Sequence, residues 1–174
     1  MGPQVMSTSQ RVLDSIRRIV RLLREGSRDS EDAVGLSAAQ LFVLQKLDAD
    51  EPLSLNELAA RTLTHQSSVS VVVSRLVERG LVLRRPSAND ARRLEILPTR
   101  RGLALRRRAP APEQNRMIAA VEALPPQQQR ALAEGLDRLV RALGIDERAA
   151  PMLFDDEPPR RPRQRPRKRG NKRA

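Results

Sequence analysis

The segment from Leu53 to Gly102 predicts two short capped helices, a glycine stop and a basic hairpin, in that order. Ser54 and Glu57 have the spacing of a capping box, in which each side chain binds a backbone N–H of the other residue. Leu53 and Leu58 flank them as a hydrophobic staple. The pattern therefore predicts a short helix over residues 55–61.

A longer helix is predicted to follow after the tight connection of residues 62–64. It runs from Gln66 to Arg79, with Thr64 as its expected N-cap and Gly80 at its left-handed C-terminal position. Its inner face carries the apolar residues Val69, Val72, Val73 and Leu76. The opposite face carries Gln66, Ser67, Ser70, Val71, Ser74 and Arg75. A short helix, a brief turn and a longer helix form a helix-turn-helix, whose second helix reads the major groove of DNA.

After Gly80 the residue pattern changes from that of a helix to that of a strand. Residues 81–85 and 93–97 read as strands, and residues 86–90 have the composition of a turn. The result is a hairpin, or wing, with an exposed tip. Arg92 and Arg93 lie near this tip, where we expect them to reach a minor groove beside the recognition helix.

These patterns give a set of candidate DNA-binding side chains. Hydroxyl, amide and guanidinium groups bind base edges and phosphates, and a valine can contact a thymine methyl group. Asp90 is expected to brace the wing by accepting hydrogen bonds or pairing with an arginine, and a solvated charged turn is the alternative for the wing residues. The full candidate set is His65, Gln66, Ser67, Ser68, Ser70, Val71, Ser74, Arg75, Arg84, Asp90, Arg92 and Arg93.

Length and charge limit the class of protein. A chain of 174 residues with 39% apolar residues can bury one core of ordinary size. The formal charge of +12 predicts an anionic partner, either nucleic acid or an acidic membrane surface. No apolar run approaches the roughly 20 residues of a membrane-spanning helix, and the N-terminus lacks a signal-peptide pattern. We therefore expect a cytoplasmic protein without a membrane role.

Residue types used in catalysis and metal binding are scarce. The chain has no cysteine, tyrosine or tryptophan, and His65 is its single histidine. One imidazole builds neither a zinc site nor a triad without partners, so His65 is expected at the helix entry or against a phosphate. We predict that the protein is not an enzyme and has no cofactor or metal site.

The helices before this motif are predicted from their ends. Residues 8–25 form an amphipathic pattern that Gly26 and Ser27 are expected to stop. Ser37 and Gln40 have capping-box spacing, which predicts a second helix that ends near Asp48. This helix should direct its leucines inward: Leu41, Leu44 and Leu47.

A further helix is predicted near the C-terminus, where Pro126 suits a helix start. Residues 127–143 carry an apolar stripe: Leu132, Leu136, Leu139, Val140 and Leu143. The predicted winged helix-turn-helix, here called the DNA-reading lobe, is too small to bury this stripe as well as its own core. A second copy of the chain would cover it, giving a homodimer. Packing on the first helix within one chain is the alternative. The expected fold is mainly α with a small β-hairpin wing: a winged helix-turn-helix with terminal dimerisation helices.

The excess positive charge is concentrated at the C-terminus. Residues 160–174 contain nine arginines or lysines and no acidic residue, which leaves about +3 for residues 1–159. Several prolines and few apolar residues predict a disordered arm over residues 148–174. Such an arm adds non-specific attraction to phosphates, or it serves only as a solubilising tail.

Two segments together match the pattern of a known family: the recognition helix and its exit, residues 67–82, and Asp90-Ala91-Arg92 followed by Ile96, Thr99 and Gly102. They give the chain, over about residues 10–145, a resemblance to the multiple antibiotic resistance regulator (MarR) family. It implies a homodimeric bacterial transcription regulator, usually a repressor, with terminal dimerisation helices. It also suggests a small-molecule cleft between those helices and the reading lobe, although Phe42 is expected in the core.

Prolines mark where this chain departs from the MarR pattern. Pro98 replaces a usual leucine, and Pro110 and Pro112 interrupt what is normally one long helix. Because proline removes a helical hydrogen bond and clashes with the preceding turn, we expect a break or kink at residues 109–112.

Together these observations predict four regions: an N-terminal dimerisation helix (1–34), a winged helix-turn-helix domain (35–100), C-terminal dimerisation helices (101–147) and a basic tail (148–174). The expected function is sequence-specific transcriptional regulation, as a repressor on a near-palindromic operator with release by a small-molecule effector left open. The alternative is a nucleoid-associated or architectural DNA-binding protein with little sequence preference. An RNA-binding winged helix is disfavoured, because exposed aromatics for base stacking are lacking.

Overall fold

A computed structural model describes residues 6–87, 92–146 and 150–154. Within these residues the chain is mainly helical and carries one β-hairpin. The elements in chain order are α1 (Thr8–Val34), α2 (Ala38–Gln45), α3 (Leu55–Arg61), α4 (Gln66–Glu78), β1 (Val82–Pro86), β2 (Leu94–Pro98), α5 (Arg100–Arg108), α6 (Glu113–Glu122) and α7 (Pro126–Ala142). This is the winged helix-turn-helix architecture that the sequence predicted.

Helix α1 is longer than expected, and the prediction that Gly26 and Ser27 stop it was wrong. The helix continues to Val34 and ends at Gly35, whose φ is 68°. Gly26 instead permits a close helix crossing, because a Cβ there would lie 2.4 Å from Cγ of Glu113 at the start of α6. A glycine inside an amphipathic pattern thus marked a packing contact here.

The first turns of α2 and α3 follow their capping signals to different extents. Ser54 and Glu57 form the complete box predicted for α3. Ser37 caps α2 by accepting from the backbone N–H of Gln40 at 3.3 Å, but the Gln40 side chain does not complete a box. It accepts from Arg79 instead. Helix α2 also ends at Gln45, three residues before the predicted end, although its three predicted leucines are all buried.

The turn between α3 and α4 differs from the prediction at one position. His65, not Thr64, is the N-cap residue of α4, and it makes no side-chain capping hydrogen bond. Thr64 instead donates its backbone N–H to Ala59, after Leu63 has turned the chain with a φ of 52°. Gly80 has a φ of 67° after the end of α4, as predicted.

The wing is an antiparallel pair in which Val82 lies opposite Pro98 and Arg85 lies opposite Glu95. Leu53 adds an isolated bridge to Ile96, which ties the entry of α3 to the hairpin. One core joins α2, α3, α4 and the wing. Its largest fully buried side chains are Leu36, Leu41, Leu44, Leu47, Leu58, Leu76, Leu81, Val43, Val69, Val72, Val73 and Val82.

The predicted break after the wing is confirmed. Helix α5 ends at Arg108 and α6 begins at Glu113, with Pro110 and Pro112 between them. Helix α6 can therefore turn back across α1, which it contacts near Gly26.

Helix α7 begins at Pro126 as predicted and has no buried residue in the single chain. Its apolar stripe is exposed, with Leu136 at 48% and Leu143 at 63%. The alternative in which this stripe packs on α1 within one chain is thus not what the structure shows. Among the described residues, no helix is both long and apolar enough to cross a bilayer.

Gly102 fixes the joint between the wing and α5. A Cβ at this position would lie 2.1 Å from the carbonyl oxygen of Leu81 and 3.3 Å from Cδ1 of Leu44. The clash with backbone cannot be relieved by a side-chain rotation, so any larger residue must push α5 away from the start of the wing.

We therefore predict that Gly102→Ala destabilises the protein by on the order of 1–3 kcal/mol, because it overpacks this joint. Helix propensity alone predicts the opposite sign, since alanine favours a helix over glycine by roughly 1 kcal/mol. The matched control is Ala104→Gly, which makes the reverse exchange at an exposed position of the same helix. The free energy of unfolding, measured by denaturant titration, distinguishes the two effects. A Gly102→Ala variant as stable as the wild type would contradict the packing described for α5.

Candidate nucleic-acid interface

Helix α4 divides into two faces that are chemically unlike. Its inner face is fully buried at Val69, Val72, Val73 and Leu76. Gln66, Ser67 and Val71 on the outer face are exposed, and Ser70, Ser74 and Arg75 are half-buried. The inner face packs on α2 and α3. The core therefore fixes the rotation of α4 about its axis, and with it the side chains that face solvent.

Hydrogen bonds fix the C-terminal end of α4 relative to its neighbours. Arg79 Nη1 donates to Gln40 Oε1 of α2 at 3.0 Å, and Arg101 Nη1 donates to the Arg79 carbonyl at 3.3 Å. The Thr99 hydroxyl donates to the Gly80 carbonyl at 2.9 Å. These hydrogen bonds connect the C-terminal end of α4 to α2 and to the start of α5.

The wing contacts the outer face of α4 through Arg84. Its Nη2 donates to Ser74 Oγ at 3.0 Å, and that hydroxyl donates in turn to the Ser70 carbonyl at 2.9 Å. Three predicted DNA-binding residues are therefore neighbours. The arrangement places an exposed guanidinium group beside the serine-rich face, where phosphates of a bound duplex would be attracted.

Ion pairs hold the part of the wing nearest its tip. Arg85 Nε lies 3.1 Å from Glu95 Oε2 across the hairpin, and Arg93 Nη2 lies 3.8 Å from Glu57 Oε1 on α3. The hydroxyl and backbone N–H of Ser54 lower the pKa of Glu57, and the charge of Arg93 lowers it further. Ser87, then Arg85, lowers the pKa of Glu95. Both carboxylates are thus stabilised in the ionised form that pairs with the wing arginines.

The remaining predicted residues fall into three groups. His65 and Arg92 are exposed, at the entry of α4 and near the wing tip. Asp90 lies outside the described residues. Ser68 differs from its prediction, because it is only 9% exposed and donates its hydroxyl to the carbonyl of Ala150 at 2.8 Å. Its hydroxyl, predicted to contact DNA, is therefore engaged with the protein's own backbone.

Sequence reasoning missed the segment that meets Ser68. Residues 150–154 were assigned to a disordered tail that begins at residue 148, yet Met152 is 6% exposed and belongs to the core. The apolar pair Met152-Leu153 was the available signal within an otherwise polar C-terminus. Residues 155–174 lie outside the described part of the chain.

A cavity of about 350 Å³ lies beside this segment. It is lined by the α3–α4 turn, by α6 and by the C-terminal residues: Phe42, Thr62, Leu63, Thr64, Gln114, Met117, Ile118, Val121, Glu122, Pro151, Met152 and Leu153. Gln114 is 6% exposed, and its Oε1 has no hydrogen-bond partner among the described residues. Phe42 is in the core as predicted, and also forms part of the cavity wall.

Residues 34–93 match the sequence model of the MarR family. This segment is thus similar in sequence to the MarR family. It contains α2, α3, α4 and the first strand of the wing, and it ends just before β2.

Individual relatives agree with the family match. The HTH-type transcriptional repressor MdtR of Bacillus subtilis (strain 168) is 27% identical over 88 residues, which are 51% of this chain and 57% of MdtR. The chain thus spans little more than half the length of that curated relative. The crystal structure of Sco3205, a MarR family transcriptional regulator from Streptomyces coelicolor in complex with DNA, covers 82% of this chain and 92% of its own at 25% identity and a TM-score of 0.53.

BpsR of Bordetella bronchiseptica shares the fold, with a TM-score of 0.51 and 24% identity over 79% of this chain and 97% of BpsR. Its structure concerns the regulation of BpsR DNA binding by 6-hydroxynicotinic acid. MarR family members are transcriptional regulators and not enzymes, which agrees with the shortage of catalytic groups in this sequence.

Proposed function

We propose that this protein is a DNA-binding transcriptional regulator that acts as a homodimeric repressor on a near-palindromic operator. The observation that carries the proposal is the outer face of α4, which is polar, exposed and flanked by the arginines of the wing. A buried inner face makes α4 rigid, so its outer side chains can be presented to a major groove in one orientation.

The side chains of this face suit both parts of DNA recognition. Gln66 and Ser67 can donate to and accept from base edges, and Val71 offers an apolar surface to a thymine methyl group. Arg84 and Arg92 lie where a duplex backbone would run beside the helix, and guanidinium groups bind phosphate strongly. Support for repression comes from MdtR, a relative that is a transcriptional repressor.

A second copy of the chain would cover the apolar stripe of α7. Helix α1 adds further exposed apolar groups, and one chain would leave both surfaces in water at a cost of roughly 25 cal/mol per Å². The exposed groups of the two helices are Val12, Leu13, Ile19, Val20, Leu132, Leu136, Leu139 and Leu143. A two-fold dimer would place one α4 on each half-site, with centres about 10 base pairs or a multiple apart.

Arg92→Ala is expected to weaken operator binding by on the order of 1–3 kcal/mol, because it removes a cation that the wing holds close to the groove. The matched control is Arg107→Ala, which removes an exposed guanidinium from α5, outside the predicted interface. Binding is measured at one fixed salt concentration on operator and on random duplex. Equal loss in the two Arg→Ala variants would remove the wing from the interface, and equal affinity for both duplexes would favour the nucleoid-associated alternative.

Leu136→Glu is expected to convert the dimer to monomers, because it places a charge in the middle of the apolar stripe of α7. Sedimentation equilibrium measures the mass, and Leu94→Glu is the control at a leucine of similar exposure on the wing. Operator affinity should fall as the dimer is lost. A Leu136→Glu protein that remains dimeric would show that the paired surface lies elsewhere.

We further propose that the cavity beside the α3–α4 turn receives a small-molecule effector that is neutral. Among the described lining residues only Glu122 ionises, so the lining offers an anion no compensating cation. The walls are mostly apolar, and the unpartnered Oε1 of Gln114 needs a hydrogen-bond donor. The favoured ligand therefore has an apolar body and one hydroxyl or N–H group.

Three probes of similar shape test this preference: 2-naphthol, naphthalene and 2-naphthoate. We expect 2-naphthol to bind best, because it donates to Gln114, and 2-naphthoate to bind worst. Gln114→Leu should abolish the preference for 2-naphthol over naphthalene, a difference on the order of 0.5–1.5 kcal/mol. Gln128→Leu at an exposed site on α7 is the control. Binding is measured by the ligand-dependent rise in Tm, and tighter binding of 2-naphthoate would contradict the proposal.

A further inference from the structure

The residues Ala150–Phe154, here called the C-terminal strap, return from the end of α7 to the DNA-reading lobe. The carbonyl of Ala150 accepts a hydrogen bond from Ser68 Oγ at 2.8 Å. Met152 is buried in the same core as α4, although it lies more than 70 residues further along the chain. The strap is therefore fixed by one polar contact and one apolar contact.

This contact lies at the edge of the proposed DNA-binding face. Ser68 belongs to the first turn of α4, and its neighbours Gln66 and Ser67 are exposed on the outer face. The strap thus begins within one hydrogen bond of the turn that would enter the major groove. Phe154 is four residues beyond Ala150, which limits the distance between these two residues to roughly 14 Å even in an extended chain.

Strong positive charge follows the strap in the sequence. Residues 155–157 are acidic, and residues 160–174 carry nine arginines or lysines. Arg160 follows Phe154 by six residues, so it lies within about 20 Å of the strap. That is close to the length of six base pairs, since neighbouring base pairs are about 3.4 Å apart.

We propose that the C-terminal strap anchors the basic tail beside the first turn of α4, so that the tail binds the phosphates that flank each half-site. The inference rests on the proposed DNA binding and adds where on the DNA the tail binds. A tail tethered at Phe154 is confined near one flank of the half-site. A tail tethered only at the end of α7 would not be confined to that flank.

The gain from anchoring follows from tether length. Without the strap contacts, the tether to Arg160 starts at Asp146, the last described residue before the strap, and is fourteen residues long instead of six. Effective concentration falls roughly as the −3/2 power of tether length, so undocking should lower the tail's local concentration about three- to four-fold.

The test maps where the tail meets DNA. The chain has no cysteine, so Asn171→Cys provides one attachment point for an iron–EDTA group that cleaves nearby DNA. The labelled full-length protein is compared with the same protein carrying Met152→Asp or the milder Met152→Ala, which remove the apolar anchor. Leu153→Ala is the matched control, because Leu153 is 41% exposed in the same strap. A second label at Glu78→Cys, on the exposed end of α4, reports specific binding in each background.

In the wild type and in Leu153→Ala we expect cleavage from residue 171 to be concentrated in one zone flanking each half-site. In the Met152 variants this zone should spread and its cleavage should fall about three- to four-fold, while cleavage from residue 78 keeps its position. Cleavage from residue 171 that is unchanged in both Met152 variants, or diffuse in the wild type, would overturn the anchoring proposal. If the label at residue 78 gives no defined cleavage in the protein with an unaltered strap, the proposed specific DNA binding is overturned, and the anchoring with it.

Discussion

The apolar face of α4 is the contact on which the rest of the interface depends. Val69, Val72, Val73 and Leu76 are fully buried against α2 and α3, and one core continues from there into the wing. A helix packed in this way cannot rotate without exposing several side chains, each at a cost of roughly 1.5–3 kcal/mol. The polar outer face is consequently presented in one fixed orientation.

The polar joints extend this constraint to the elements around α4. Arg79 connects it to α2, Arg84 connects it to the wing, and Ser68 connects it to the C-terminal strap. The wing and the strap each have a role in the proposed complex with DNA, and α2 belongs to the core that positions α4. A helix fixed at both ends suits recognition, because little conformational entropy remains to be lost when DNA binds.

Local signals in the sequence were sufficient for the elements themselves. The capping box at Ser54 and Glu57, the glycine after α4 and the prolines at residues 110 and 112 each act within a few residues, and the structure follows all of them. Gly26 was misread because its cause is a contact with α6, distant in sequence. Ser68 was misplaced for the same reason, since its acceptor lies 82 residues away. The cavity has no local signal, because its walls come from segments spread over the whole chain.

The central claim is that α4 reads DNA twice, once from each subunit of a symmetric pair. Selection of bound duplexes from a random pool tests it most directly, because the recovered sequences report half-site, spacing and symmetry together. The account predicts two inverted half-sites whose centres are about 10 base pairs or a multiple apart. Recovery of a single asymmetric site, or of no enriched sequence at all, would contradict it.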